Sequence, residues 1–243
     1  MGGADTGIGS GKFAVLGATT VTNTGLTTLT GQLGLDPGSS ITGENSILIN
    51  GQPALGSGSN YVHINDDIAD TAQAQLNAAR NQLGQMGTGT TLASSNLTGL
   101  TLPPGIYTLP AGGNNLAGTL TLNGEGNAKA QWVFQMPTTL ITATGSAVNM
   151  INTGSDAKIY WNVGSSATLG TATAFKGNIL ALTSITLDHG ASILDGSALA
   201  NTGAVTMDNN FVSTVPEPAP YVMLLAGLGM IGYAAIRKNT LKR

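Results

Sequence analysis

The chain has 243 residues, 9 Lys+Arg against 12 Asp+Glu, a formal net charge of −3 and no cysteine. Disulfides, thiolate metal sites and cysteine nucleophiles are therefore excluded, and so sparse and acidic a chain lacks the basic patch that nucleic-acid binding needs. Only 9% of residues are charged, against about 25% in ordinary globular proteins; Thr, Ser, Asn and Gly take their place and predict neutral, hydroxyl-rich surfaces.

Residues 1–11 are expected to be a disordered N-terminus. Met1 to Lys12 carries no basic n-region and no apolar h-region, so for an exported protein the expectation is that the sequence begins downstream of its true start. Residues 12–214 read as one body of short strands broken by Gly, Asn and Asp-Gly turns. One helix interrupts it at about residues 65–85. Ile68, Ala72, Leu76, Ala79 and Leu83 recur there at spacings of three and four and form one apolar stripe. Asn65 or Asp66 can cap its start, the first-turn acids suit the helix dipole, and Gly84 and Gly87 mark its end. The stripe is small and Ala-rich, which predicts close packing on a flat sheet.

A triplet apolar-Thr-apolar recurs along the body, centred on Thr101, Thr121, Thr142, Thr168, Thr186 and Thr206, with steps of 20, 21, 26, 18 and 20 residues. About 18 to 20 residues suffice for a solenoid turn of three short strands, and successive turns stack about 4.8 Å apart as parallel strands. In each triplet the apolar residues point inward and the Thr outward. Three residues before most of these threonines stands another small residue, which adds Thr98, Thr139, Ser165 and Thr183 to the candidate surface. Any single Thr is explained by its strand preference; six in register on an almost uncharged face are read as a surface.

The last 29 residues differ in composition. They hold four basic residues and one acid, which leaves the body five basic and eleven acidic residues, a net of −6. Val215, Pro216, Glu217 and Pro218 precede an apolar run of 18 residues, Ala219 to Ile236, followed by Arg237, Lys238, Lys242 and Arg243. That run is just long enough to be a C-terminal transmembrane helix. The basic end places it with the tail in the cytoplasm and the body outside.

The Val-Pro-Glu-Pro motif, apolar span and basic end resemble the PEP-CTERM sorting signal of Gram-negative bacteria. The resemblance implies cutting by an exosortase near the motif, transient residence of residues 219–236 in the inner membrane, and release to the exterior or attachment to the envelope or exopolysaccharide. The body resembles the DUF3494 ice-binding domains. The matching segments are Phe13-Ala14-Val15-Leu16, Val21-Thr22-Asn23-Thr24-Gly25, residues 31–38 and 104–107, and, most strongly, residues 163–170 and 177–181 with 203–210. This resemblance implies an all-β fold with one long helix: a discontinuous right-handed parallel β-solenoid, triangular in section, with the helix packed along it. It also implies ice or ordered water as the partner, bound through a flat face carrying Thr-(Ala/Gly)-x-(Thr/Asn). Thr24-Gly25-Leu26-Thr27 and Thr98-Gly99-Leu100-Thr101 match that motif, and Thr42-Gly43-Glu44-Asn45 matches in form. The expected function is a secreted or cell-surface protein that adsorbs to ice, without catalysis, cofactor or metal; the alternative is a structural adhesin of the biofilm matrix. Asp188, His189, Asp195 and Asp208 form the one plausible catalytic cluster and are read as structural turn residues. His63 and His189 are read as surface or turn residues, and Trp132 and Trp161 as core.

Overall fold

The computed structural model describes residues 13–54, 61–113 and 115–214. The predicted sorting motif at Val215, Pro216, Glu217 and Pro218, the apolar run 219–236 and residues 1–11 lie outside them. Among the described residues no helix is long and apolar enough to cross a membrane.

Three sheets, almost wholly parallel, wind around one apolar core. A nine-stranded sheet runs in the order Val62–Ile64, Gln32–Leu35, Phe13–Gly17, Ala198–Ala200, Asn178–Ala181, Lys158–Val163, Gln131–Met136, Gly105–Thr108, Thr90–Thr91. A six-stranded sheet runs Leu140–Thr142, Ala167–Leu169, Ile185–Leu187, Val205–Asp208, Thr20–Thr24, Ser40–Thr42. The third sheet, nine-stranded, begins at Thr101–Leu102, continues through Thr119–Asn123, Ala147–Ile151, Ala174–Lys176, Ser192–Leu194 and Phe211–Ser213, and ends with Thr27–Thr30, Ile47–Ile49 and Gln52–Pro53. From Phe13 to Ile49 and again from Gln131 to Ser213 consecutive strands visit the three sheets in turn, which makes the body a three-sided solenoid. The winding is discontinuous: Phe13–Gly17 pairs with Ala198–Ala200, and Thr20–Thr24 with Val205–Asp208, so the N-terminal turns stack upon the C-terminal one.

The helix, Asp67–Gln85, carries the chain from one end of this stack toward the other. Its 19 residues measure about 28 Å. It packs on strands from Val62–Ile64 to Gln131–Met136, six strand spacings of about 4.8 Å apart, so helix length and stack height agree. Its buried stripe is Ala69, Ala72, Leu76, Ala79 and Leu83. Ile68 is exposed, and Ala69, three residues before Ala72 instead of four, takes the place expected for it on the buried stripe. Gly84 lies inside the helix, and Gly87, with φ of 85°, follows its end. The stripe meets Leu16, Leu180, Leu199, Val133 and Tyr160 on the outer face of the first sheet. Gln73 Nε2 donates to Gly17 and Ala200 carbonyls, and Arg80 to those of Val163 and Leu180. The core beneath is aromatic: Trp161 stacks on Phe134 with centroids 4.1 Å apart, and Trp132 and Trp161 are both fully buried.

Asp66 is the helix N-cap, its carboxylate accepting from the Ile68 and Ala69 amides. Burial alone would push that carboxyl up; the hydrogen bond from Ala69, the neighbouring His63 ring and the Ile68 amide outweigh it and hold the group below its ordinary value of 3.8. His63 itself is buried, its Nδ1 2.9 Å from Asp66, and it packs edge-on to Phe13. The surface position expected for it is therefore corrected: the ring closes the start of the helix.

The corner from the six-stranded to the third sheet carries a stack of left-handed residues, Gly43, Gly25, Asn209, Gly190, Ala172 and Gly145, with φ between 54° and 76°. Each turn must bend there at the same level, so its neighbour fixes its conformation. Ala172 is the misfit, since a Cβ costs about 1–2 kcal/mol in this region. Replacing exposed Ala172 with Gly is expected to raise stability by on the order of 0.5–1 kcal/mol after Gly's greater chain entropy is counted, read as a higher denaturation midpoint. Removing the cap by Asp66→Ala is expected to cost about 1 kcal/mol at neutral pH. Because the folded pKa is depressed, that contribution is present above 3.8 and is lost as pH falls through the lower folded value. Denaturation of both proteins across pH 2–7 should show their difference shrinking at the acid end.

Candidate functional site

The first sheet is covered by the helix, and among the described residues nothing covers the six-stranded sheet. Its inward column, Leu140, Ala167, Ile185, Val205 and Val21, is buried, and side chains one residue on face out. The register makes that outward column Ile141, Thr168, Thr186, Thr206, Thr22, Thr42, each pair hydrogen-bonded in the ladder: Ile141 with Thr168, Thr168 with Thr186, Thr186 with Thr206, Thr206 with Thr22, Thr22 with Thr42. Five threonines thus stand in consecutive register, about 4.8 Å apart and about 19 Å end to end. Two residues earlier on the same strands is a second outward column. Thr20 pairs with Ser40, and Ala204, Ser184, Ser166 and Thr139 hold the equivalent positions by strand alternation. Its hydroxyls tie turn to turn, with Ser166 Oγ 2.6 Å from Thr183 Oγ1 and Ser184 Oγ accepting from the Ala204 amide. These columns contain no charged residue. Charge begins at the corner, where Asp188 and Asp208 succeed one another and His189 Nδ1 lies 3.3 Å from Asp208.

The ten residues expected to form one surface are therefore not together. Thr168, Thr186 and Thr206 are in the column and Thr139 is beside it. Ser165 and Thr183 sit at the corner with the helix-covered sheet, linked by a Thr183 amide to Ser165 carbonyl bond. Thr101 and Thr121 pair with each other on the third sheet, and the next position there is Asn149. Thr98 lies before the corner leading to that sheet and accepts from the Ala117 amide. Thr142 points inward: it is 3% exposed, and its Oγ1 accepts from the Gly170 amide and touches Thr173. The 26-residue step aligned it with Thr168, but the ladder partner of Thr168 is Ile141, 27 residues away. A one-residue slip turns every side chain to the other face.

Thr24-Gly25-Leu26-Thr27 spans a corner instead of lying on a face. Thr27 is buried and accepts from the Asn210 amide, while Leu26 is exposed. Thr20, Thr22, Ser40 and Thr42 were absent from the expected set. Their signal was the alternation Thr20-Val21-Thr22 and Ser40-Ile41-Thr42, which repeats in Ser184-Ile185-Thr186 and Ser166-Ala167-Thr168.

The suspected acidic cluster is also divided. Asp195 is at a different corner, paired with Lys176 at 3.0 Å, away from Asp188 and Asp208. Among the described residues no group of three His, Cys, Asp or Glu could hold a metal ion.

The sequence and the fold are both similar to those of known proteins. An ice-binding protein of Nostoc sp. (strain HG1) is 42% identical over 241 residues, covering 94% of this chain and 85% of that relative. The crystal structure of an ice-binding protein from an Antarctic biological consortium matches with a TM-score of 0.73 at 39% identity, over 84% of this chain and 88% of that one. That of an ice-binding protein from the ascomycete Antarctomyces psychrotrophicus matches with a TM-score of 0.74 at 37% identity, over 86% and 97%. The PEP-CTERM protein-sorting motif matches residues 214–238. The Ice-binding-like family model matches residues 15–213, nearly the whole body, and the chain belongs to that family.

Proposed function

We propose that the protein adsorbs to ice through the outward face of the six-stranded sheet. The observation that carries this reading is the unbroken register of Thr42, Thr22, Thr206, Thr186 and Thr168 on a sheet that none of the described residues covers. Each Thr offers a hydroxyl that anchors water and a methyl that spaces it. Repetition at one strand spacing makes a two-dimensional lattice of such groups, and the ordered layer it holds merges with the ice surface. Every strand is hydrogen-bonded on both sides except at the stack ends, so the lattice is rigid before it binds and loses little entropy on contact. The absence of charge in the two columns matters too, because an ion would hold water in a liquid-like shell. Bound molecules pin the advancing front, which bulges between them and stops. No bond is made or broken, and no catalytic group is required.

The sorting motif goes with export to the envelope or exterior. The reading that follows is that residues 219–236 hold the junction at the inner membrane, Arg237 and Lys238 stay inside, and an exosortase-type enzyme cuts near Pro218 before attachment to the envelope or its exopolysaccharide.

Thr206 stands in the middle of the column. Thr206→Tyr is expected to abolish most ice shaping and thermal hysteresis with an unchanged denaturation midpoint, whereas Gln75→Tyr on the exposed side of the helix and Thr121→Tyr on the third sheet keep wild-type activity. Full activity in the Thr206 variant would reject this face. The processing reading is checked by the intact mass of the exported protein: the expected form ends near Pro218, and one still carrying Arg243 would make the tail a permanent anchor.

A further inference from the structure

The described chain ends at Thr214, and where it ends is informative. Thr214 donates its amide and its hydroxyl to the Thr30 carbonyl. Thr30 closes a strand of the third sheet and Gln32 opens one of the helix-covered sheet, so Gly31 between them is the corner where those two sheets meet. A Cβ on Gly31 would stand 3.0 Å from the Ala14 nitrogen and 3.2 Å from Thr214 Cγ2. The first and last strands of the body therefore meet at this one corner. Ser197, one turn along the same corner, donates its hydroxyl to the Phe13 carbonyl, and Gly196 donates its amide to Ser213. In a three-sided body the corner shared by two sheets is opposite the remaining one. Here the remaining sheet is the one with the threonine column, a sheet-to-sheet separation of at least about 10 Å away.

This placement follows from the discontinuous winding. An ordinary solenoid has its termini at the two ends of the stack. Here the N-terminal turns sit on the C-terminal one, so Phe13 and Thr214, the first and last described residues, both lie on the flank of the body. Only Val215, Pro216, Glu217 and Pro218 separate Thr214 from the apolar run beginning at Ala219, a reach of at most about 14 Å. The stack itself is about 38 Å tall, counting the eight spacings between nine strands. A tether that short cannot let the body turn over freely against the surface that holds it.

We infer that the protein is built to be held from the edge opposite its threonine sheet, so that the form attached through the sorting tail presents this sheet outward and joins the cell envelope to an ice surface. The inference rests on the ice-adsorbing reading of that sheet. Ice and the anchoring surface then occupy different sides of the body and do not compete. The exposed side of the helix and the third sheet flank the tethered corner.

The chain has no cysteine, so one introduced thiol gives a unique attachment point. The full chain carrying Val215→Cys and the full chain carrying Thr206→Cys are each first assayed uncoupled for shaping of single ice crystals, then coupled through the thiol to beads at equal density. Beads bearing the Val215 variant are expected to adhere to a growing ice surface, and beads bearing the Thr206 variant to stay in the liquid. If the uncoupled Val215 variant does not shape ice, the reading of the threonine sheet falls and this inference with it. If that variant shapes ice uncoupled but its beads are not captured, or are captured no better than the Thr206 beads, the orientation alone is overturned.

Discussion

The parallel, in-register ladder is the constraint on which the rest depends. Each strand of the body is bonded to copies of the same structural position one turn above and below, about 4.8 Å away. Position therefore selects for residues that tolerate a like neighbour. Inward columns accept Leu, Ile, Val and Ala, which pack on one another. Outward columns accept Thr, whose branched Cβ suits an extended backbone and whose hydroxyl needs no partner from the core. Corner columns accept whatever adopts the left-handed conformation, which is why Gly25, Asn209 and Gly190 succeed one another at one corner. The threonine column is a consequence of the ladder before it is a device for anything else.

The ladder also creates a difficulty that the helix answers. Its first sheet has large apolar side chains on both faces: Val15 and Leu16, Trp161 and Tyr160, Ile179 and Leu180 are all buried. Without the helix the outer members of those pairs would be a long hydrophobic strip. The helix covers them, and Gln73 and Arg80 supply donors to carbonyls along the sheet rim. Burial lowers the pKa of the Arg80 guanidinium, and the carbonyl oxygens of Val163 and Leu180 accept its hydrogen bonds. The same helix carries the chain back along the stack, which is what lets the winding restart at Thr90–Thr91 and finish against its own beginning.

Much of this was legible in the sequence, and the failures share a cause. A repeat near 20 residues, an Ala-rich amphipathic helix and two buried tryptophans follow from local pattern, because they concern one element at a time. The surface concerns several elements at once. Triplet spacing identified Thr168, Thr186 and Thr206 correctly as equals, since the 18- and 20-residue steps between them coincide with the ladder pairing. It failed at Thr142, where a one-residue difference in loop length reversed the side chain, and at Thr101 and Thr121, whose triplets have the same form but lie on another sheet. Thr22 was passed over and Thr42 entered only through its Thr-Gly-Glu-Asn motif, because nothing local shows that the N-terminal turns stack on the C-terminal one. Deciding which apolar-Thr-apolar triplets share a face requires the pairing of Val21 with Val205, a contact across most of the chain.

The same discontinuity separates the tasks of the three sides. A continuous solenoid would place one terminus at each end of the stack, and tethering either end would stand the body on its axis, with every face equally open. With the first and last strands of the body meeting at Gly31's corner, one edge is committed to attachment, one sheet to the helix, and the sheet opposite the tether is left bare. Bareness has a cost in an ordinary protein, because a flat exposed sheet invites association. Here the outward columns carry hydroxyls at every position but Ala204 and Ile141, and Ile141 at the far end is their one large apolar residue, so the face stays wetted and ordered. The uncovered sheet that the fold could not avoid is thus given side chains that organise water instead of excluding it, which is the property an ice-adsorbing surface needs.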